Sequence, residues 1–456
     1  MSADTERLSS AREVLVGDEP GRGGNAVYAV YVAVIAAGAY GVPAAQAFFR
    51  AVDPAWIEAR LGGPGAIAVG ALALVAFLAF AYRAGRIRGP VVPDLPYLDT
   101  VAASPIDRNV VLRSWWRLGL LGCLVVGLLA GLVVGAGLAI SAVASPLVLL
   151  PSTVCGMLGG LLIAGAWLHG QVRSWPTGDR GLSVFLRQRR SLRALHITAL
   201  RTQSARSVTI GGAVLAGDLR AARLDVGPAS TRGRRFRLKA RGPIPTMVSR
   251  DWLGLRRAPG AALTGLVLTG AGAYLLVFAS APGTPSVVAL AGMLLAYLGV
   301  STWSEGLRLQ GDNAGTPPLI GLAPELEARA HLILPGLGYL LCVAVTGALA
   351  LALGHASAFG LVWAVLLGGL LLATQVMAAF RGLPPSAIYS PQAGVPAMIL
   401  WYGIPVIVAL VCGTASTAFI TAAKGGAGAA ALVITTTLAI VYARSRVTSL
   451  FDGHRQ

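Results

Sequence analysis

The chain has 456 residues, of which 55% are hydrophobic and only 12% charged, with a mean hydropathy of +0.70. A soluble globular domain carries about a quarter charged residues, so this supply cannot cover a water-facing surface of that size, and a soluble globular protein is excluded. The formal net charge is +18; such an excess marks cytoplasmic loops in a membrane protein and a phosphate-facing surface in a nucleic-acid binder.

From the N-terminus, residues 1–24 are polar and include Asp4, Glu6, Glu13, Asp18 and Glu19. The apolar run that follows is about 22 residues, longer than the 7–15 of a signal-peptide core, and Ala45-Gln46-Ala47 only mimics a cleavage site, so a retained first span is expected. Apolar runs of bilayer-crossing length recur at about 25–46, 63–82, 118–142, 146–169, 260–281, 285–303, 333–354, 358–380, 394–414 and 427–443. The expected fold is therefore all-α, a polytopic integral membrane protein with about ten transmembrane helices. Ser145-Pro146, Pro282-Gly283 and Gly354-His355 read as tight turns between paired spans. Cys123, Cys155, Cys342 and Cys412 all fall in apolar runs without a CxxC pair, so they read as packing residues, with no disulfide framework or zinc site.

Charge supplies an independent test of this topology. With the N-terminus in the cytoplasm, 34 of the 37 Lys and Arg residues lie in inside segments, and only Arg50, Arg60 and Lys424 lie outside. Leaving out the 19 basic residues of 170–259 still leaves 15 against 3. This is a positive-inside pattern, and an even number of spans puts both termini in the cytoplasm.

The organisation expected is thus a cytoplasmic segment 1–24, four spans over 25–169 with a cytoplasmic loop 83–117, a basic cytoplasmic segment 170–259, six spans over 260–443 and a cytoplasmic tail 444–456. Within the basic segment, Leu182, Phe185, Leu186, Leu192, Leu195, Ala199 and Leu200 recur at helical spacing, with Arg187, Arg189, Arg190, Arg193 and Arg201 on the polar side. The apolar stretch 207–216 is too short to span. Residues 226–245, dense in Arg, read as a flexible linker near anionic headgroups, where each basic residue contributes about 1 kcal/mol. Without interleaved aromatic residues, this charge does not read as a nucleic-acid surface.

A weak internal repeat is visible at a shift of 219, which lays 104–135 on 323–354 and pairs Pro105 with Pro324, Cys123 with Cys342 and Gly135 with Gly354. Both halves place two spans, a cytoplasmic loop with an Ala/Ser-Pro step, then two spans. Duplication of this kind is common in transporters.

No Asp, Glu, Lys or Arg falls within the expected spans. Ion-coupled transporters usually place ionisable groups at the membrane midplane, and metal-dependent intramembrane enzymes need His and carboxylate ligands there. Neither set is present, nor is a GxxxxGK[ST] phosphate-binding loop. The five histidines, His169, His196, His331, His355 and His454, show no metal-ligand spacing, and His169 reads as an anchoring or capping residue at a span end. Asp94, Asp99 and Asp107 form the one acidic group near a membrane face. Among the polar residues in spans, Gln375 is the costliest to bury and is the candidate for lining a pathway. Pro391, Pro396 and Pro405 flank or kink the ninth span. No cofactor is indicated.

Three segments carry a resemblance. Met247-Val248-Ser249-Arg250-Asp251-Trp252-Leu253-Gly254-Leu255-Arg256-Arg257-Ala258-Pro259 precedes the fifth span as an amphipathic stretch, with Met247, Trp252 and Leu255 expected toward lipid and Arg250, Arg256 and Arg257 toward headgroups. Leu98-Asp99-Thr100-Val101-Ala102-Ala103-Ser104-Pro105-Ile106-Asp107-Arg108 follows the second span. Residues 319–327, with Ala323-Pro324-Glu325, look like a degenerate second copy of that segment. Together they resemble the membrane subunits of ATP-binding-cassette exporters of the type-2 permease class, and among these the actinobacterial permease-like membrane proteins.

The resemblance implies a permease subunit working with a separate ATPase, as a homo- or heterodimer or as a fused pair of halves. It makes 247–258 an interfacial helix and Ser104, Pro105, Asp107, Arg108, Pro324 and Glu325 an ATPase-coupling surface. The chain departs from that class in having about ten spans rather than six and in its long basic segment. The alternative reading is a membrane scaffold or regulator that binds partners or anionic lipids through that segment. A third is an enzyme on lipid-linked substrates using the three aspartates. No nucleic-acid partner is expected.

Overall fold

A computed structural model describes residues 6–10, 22–51, 64–174, 188–215, 237–238, 242–281, 283–314, 322–382, 394–422 and 425–452. Among them every regular element is helical, and ten helices are long and apolar enough to cross a membrane. The protein is an all-α polytopic membrane protein. It divides into two compact units, Met1–Gly227 and Pro228–Gln456.

In the first unit, α1 (Arg22–Ala36) runs through a π-helical turn at Ala37–Gly41 into α2 (Val42–Ala51), and together they supply the first span. The second span is α3 (Pro64–Ile87). A short helix α4 (Leu95–Thr100) and a turn then lead into α5 (Arg108–Ile140), and a 3-10 turn at Pro146–Val148 opens α6 (Leu149–Val172). Asp107 starts α5 as its N-cap, accepting a hydrogen bond from the Asn109 amide at 3.0 Å.

The close approach of α5 and α6 depends on facing glycines. A Cβ at Gly127 would meet the Gly156 carbonyl, one at Gly131 the Ser152 carbonyl, and one at Gly160 the Cys123 carbonyl, each at under 3.0 Å. This is small-residue packing, by which helices associate in lipid, where burial of apolar side chains offers no gain over the acyl chains.

The buried core of this unit lies toward one end of its spans. It joins Val91, Leu98, Val111, Leu112 and Trp116 to Leu168 and Val172. Two helices of the basic segment, α7 (Gln188–Arg193) and α8 (Ile197–Leu215), and the turn between them complete it with Leu192, Leu195 and Leu200, each 2% exposed or less. The single helical run expected there is broken among the described residues by a turn at 194–196, and the two pieces dock on the core. Residues 207–215 lie within α8 and are not a separate segment. Leu182, Phe185 and Leu186 lie outside the described residues, as does the basic stretch 226–245 apart from Arg237, Leu238 and 242–245.

The second unit opens with α9 (Pro243–Arg257) and turns at Ala258 into α10 (Pro259–Ala279). Pro259 suits the first turn of the new helix, and the residue before a proline is disfavoured in helix, which fixes the break. Next come α11 (Ser286–Trp303), the short α12 (Glu305–Asp312), α13 (Pro324–Ala352), α14 (Ala358–Ala379), α15 (Gly394–Thr421) and α16 (Gly425–Asp452). The turns expected at Gly283 and Gly354 have φ of +77° and +67°, the left-handed region that glycine tolerates. Pro405 lies inside α15, Pro396 near its start, and Pro391 outside the described residues.

The core of this unit centres on α14. Trp363 donates to Thr417 Oγ1 at 3.0 Å, and Tyr339 donates to the Ala364 carbonyl at 2.6 Å. Both polar tips of these large side chains are thereby satisfied inside the apolar bundle.

Both units share one element order: two spans, a short helix, a long span, another span. The sequence repeat does not follow this order at its ends. The long spans begin at Arg108 and Pro324, 216 positions apart (324 − 108) and not 219, and Gly135 is inside α5 whereas Gly354 is in the turn after α13.

Candidate functional site

The segment after the second span is held entirely from within. Ser104 Oγ donates to the Val101 carbonyl at 2.6 Å and closes the turn. Arg193 on α7 forms a forked pair with the Asp107 carboxylate, its Nη2 at 2.5 Å from Oδ2 and its Nε at 3.1 Å from both oxygens. The Asp107 carboxyl is held below the usual carboxylate range, chiefly by this bond from Arg193, with the Asn109 amide assisting against the opposing effect of burial. Arg108 Nη1 donates to the Leu195 carbonyl at 3.1 Å, and Arg201 Nε to Asp99 Oδ1 at 2.6 Å. Asp107, Arg108 and Asp99 therefore fasten the basic helices α7 and α8 to the loop. Between 94 and 108 the residues left exposed are Asp94, Pro96, Asp99, Thr100, Ala103 and Pro105.

A buried amide pair completes the fastening. Gln171 Oε1 accepts from the Val91 amide at 3.2 Å, while its Nε2 donates to the Val91 carbonyl at 2.7 Å and to Gln203 Oε1 at 2.9 Å. Gln203 in turn accepts from the Gly89 amide at 3.2 Å. Ser204 Oγ donates to the Pro93 carbonyl at 2.8 Å. Loop 88–94 is thus clamped between the end of α6 and the start of α8. Its members are 80 and 114 residues from their partners, and no local pattern in the sequence announces them.

In the second unit α9 is amphipathic, as an interfacial helix should be, but its faces differ from the expectation. Met247 is buried at 2%, and Leu255 packs against the core, whereas Trp252 is 55% exposed. Residues 247, 251 and 255 are four apart and share one helix face, so the inward stripe is Met247, Asp251 and Leu255, and only Trp252 of the expected apolar face points outward. Arg250 and Arg256 are exposed and Arg257 half-buried.

The inward turn of Asp251 has a partner. Its Oδ2 lies 2.6 Å from Nδ1 of His331, whose side chain is fully buried in the first turns of α13. Glu327 stands 3.9 Å from His331 Nε2, and Arg250 4.0 Å from Asp251 Oδ1. Gly306 on α12 leaves room for the pair, since a Cβ there would come under 3.0 Å from both Asp251 and His331. Pro335, inside α13, removes the helical hydrogen bond that would end on the His331 carbonyl. This junction pins α9 to a long span.

Pro324 occupies the first turn of α13, and Glu325 receives Arg444 Nε at 3.2 Å, with Arg329 Nη2 at 3.7 Å. Gln375 is buried at 1%, and its Nε2 donates to the Tyr297 carbonyl at 3.3 Å, bridging α14 to α11. Among the described residues, no three His, Cys, Asp or Glu side chains are grouped to hold a metal ion. Asp99 and Asp107 each face an arginine. His169 lies in the last turn of α6 with its ring 5.7 Å from that of Tyr82. The four cysteines are free.

Fold and site define a class, a ten-span helical membrane protein whose ionic groups gather at the span ends. The chain matches no protein-family model, no curated protein and no solved structure.

Proposed function

We propose that this protein is the membrane-spanning permease subunit of an ATP-driven exporter of the ATP-binding-cassette type, residing in the plasma membrane with both termini cytoplasmic and working with a separate ATPase. The observation that carries the reading is where the charge lies. In the ten spans no Asp, Glu, Lys, Arg or His is more than roughly three helical turns from a span end. A chain without a midplane relay for protons or cations draws its driving force from outside itself, and a nucleotide-hydrolysing partner on the cytoplasmic face supplies it. The amphipathic α9, joined directly to the fifth span, fits the interfacial helix of such permeases.

On this reading the ATPase meets the residues of the loop that are left exposed. Asp107 and Arg108 act as positioning residues, because their side chains hold α7. The exposed Thr100, Ala103 and Pro105 are the contact surface. The test is a mild-detergent pull-down of the tagged chain from its native host, with mass spectrometry of what co-purifies. The expected result is a stoichiometric ATP-binding-cassette ATPase that is lost on Ala103→Arg while the variant still assembles in the membrane. No ATPase, under conditions that preserve a known exporter complex, overturns the reading and favours a scaffold whose basic helices α7 and α8 recruit partners.

A further inference from the structure

The end of the second unit that carries α12 also holds arginines that the permease reading does not use. Arg381 follows the end of α14, Arg446 lies in the last turns of α16, and Arg308 is on α12. The chain brings them together by close packing. A Cβ at Gly311 would come under 3.0 Å from the Ala379 carbonyl, so its absence seats α12 on the end of α14. Arg446 Nη2 donates to the Arg381 carbonyl, and Gly382, at φ +78°, turns the chain beside that guanidinium. The Arg381 guanidinium lies over the ring of Tyr402, 4.7 Å from its centroid, a cation–π contact. Tyr297, Arg308 and Tyr442 are its other electrostatic neighbours.

Two guanidiniums of this cluster, those of Arg381 and Arg446, keep buried donors unsatisfied. Arg381 Nη2 donates to the Ala378 carbonyl at 3.2 Å, but its Nε and Nη1 are buried without a hydrogen-bond partner among the described residues, and so is Nε of Arg446. Neither arginine pairs with a carboxylate among the described residues. Glu305 lies 3.9 Å from Arg308 Nη1, and Arg308 also donates to Ser301 Oγ. Burial works against the charge of Arg381, and Arg308 repels it. A guanidinium stays protonated regardless, and buried donors without acceptors are unfavourable. The usual remedy is an anion with several oxygens, which the fork of an arginine matches in two parallel bonds.

We infer that Arg381, Arg446 and Arg308 form a binding site for a phosphate-bearing anion at the membrane boundary of the second unit. Its three side chains come from the ends of the sixth, eighth and tenth spans or directly beyond them, so an occupant ties three spans together at one face. The phosphate is presented either by the headgroup of an anionic phospholipid or by a free phosphate group in water, and the two sources demand the same chemistry.

The test uses the full purified chain. One arm follows retention of phosphatidylglycerol over phosphatidylcholine by native mass spectrometry. The other follows binding of inorganic phosphate by calorimetry in phosphatidylcholine nanodiscs. Arg381→Gln and Arg308→Gln are compared with Arg444→Gln, which removes an equal charge from α16 at a residue already paired with Glu325. The expected result is selective binding in at least one arm, weakened about tenfold by Arg381→Gln and unchanged by Arg444→Gln. Binding in the first arm alone identifies the source as lipid, and binding in the second alone as free phosphate. If Arg381→Gln does not fold, Arg308→Gln decides by the same loss. Wild-type binding by folded Arg381→Gln and Arg308→Gln, equal weakening by Arg444→Gln, or binding of neither probe by the wild type overturns the site.

Discussion

At the scale of single residues, the loop after the second span shows how a short polar side chain does two jobs. Asp107 caps α5 through the Asn109 amide and holds α7 through Arg193. Asp107→Asn keeps an oxygen for the cap but loses the ionic fork, whereas Asp107→Ala loses both, the cap alone being worth about 1 kcal/mol. Because Arg193 is largely exposed, solvent screens the fork and its contribution is small. Hydrogen exchange at 192–200 in Asp107→Asn should therefore rise only slightly, with Asp107→Ala faster still. The pH dependence has a definite sign. The folded carboxyl titrates below its unfolded value, so its contribution is complete above about pH 4 and fades as the pH falls through the folded value. Acidification of the wild type should bring its exchange toward that of Asp107→Asn, and an unchanged rate in that variant at neutral pH would show that the buried leucines alone hold α7.

At the scale of elements, the spans were legible because each is an uninterrupted apolar run of bilayer length, and a lipid-facing helix needs little else. Which spans touch was not legible. Gly127, Gly131 and Gly135 on α5 and Gly156 and Gly160 on α6 stand at four-residue spacing, but Gly122 and Gly159 stand in the same helices and meet nothing within 4 Å. Only the pairing tells the two sets apart. The same holds for α9, where the alternation of apolar and basic residues announced an amphipathic helix and the burial of Asp251 depended on His331, 80 positions away. The arginines at 308, 381 and 446 are likewise scattered in sequence and gathered only by the packing of span ends. Packing of α5 on α6 gives a sharp contrast to measure. Gly127→Ala should destabilise by about 1–3 kcal/mol through overpacking against the Gly156 carbonyl. Gly122→Ala, on the open side of the same helix, should be neutral or gain up to about 1 kcal/mol from helix propensity. Relative melting temperatures in one detergent read both, and equal shifts would mean that α5 and α6 do not approach as closely as the glycines permit.

At the scale of the whole molecule, the distribution of charge decides orientation, which no internal contact fixes. The span ends that carry Arg83 and Arg86, Arg113 and Arg117, Arg308, Arg381 and Arg444 and Arg446 all fall on one side of the membrane if the ten spans alternate. The opposite ends carry the turns at Ala142 and Gly354. The positive-inside rule acts most strongly on basic residues close to span ends in short loops, and 83–117 supplies six arginines of that kind. Long basic segments such as 170–259 translocate or stay largely regardless of charge, so the short loops carry the argument. Reporter fusions within 142–145 and at 354 should therefore give periplasmic phosphatase activity, and fusions at 100, at 312 and after 452 should give none while remaining fluorescent with a cytoplasmic reporter. Replacing Arg83, Arg86, Arg88, Arg113 and Arg117 together with Gln should let part of the population insert α3 and α5 the other way round, seen as phosphatase activity at 100. If the fusion at 354 is silent and that at 312 is active while those within 142–145 stay active, the second unit is inverted, and 95–108 and 324–329 face different compartments.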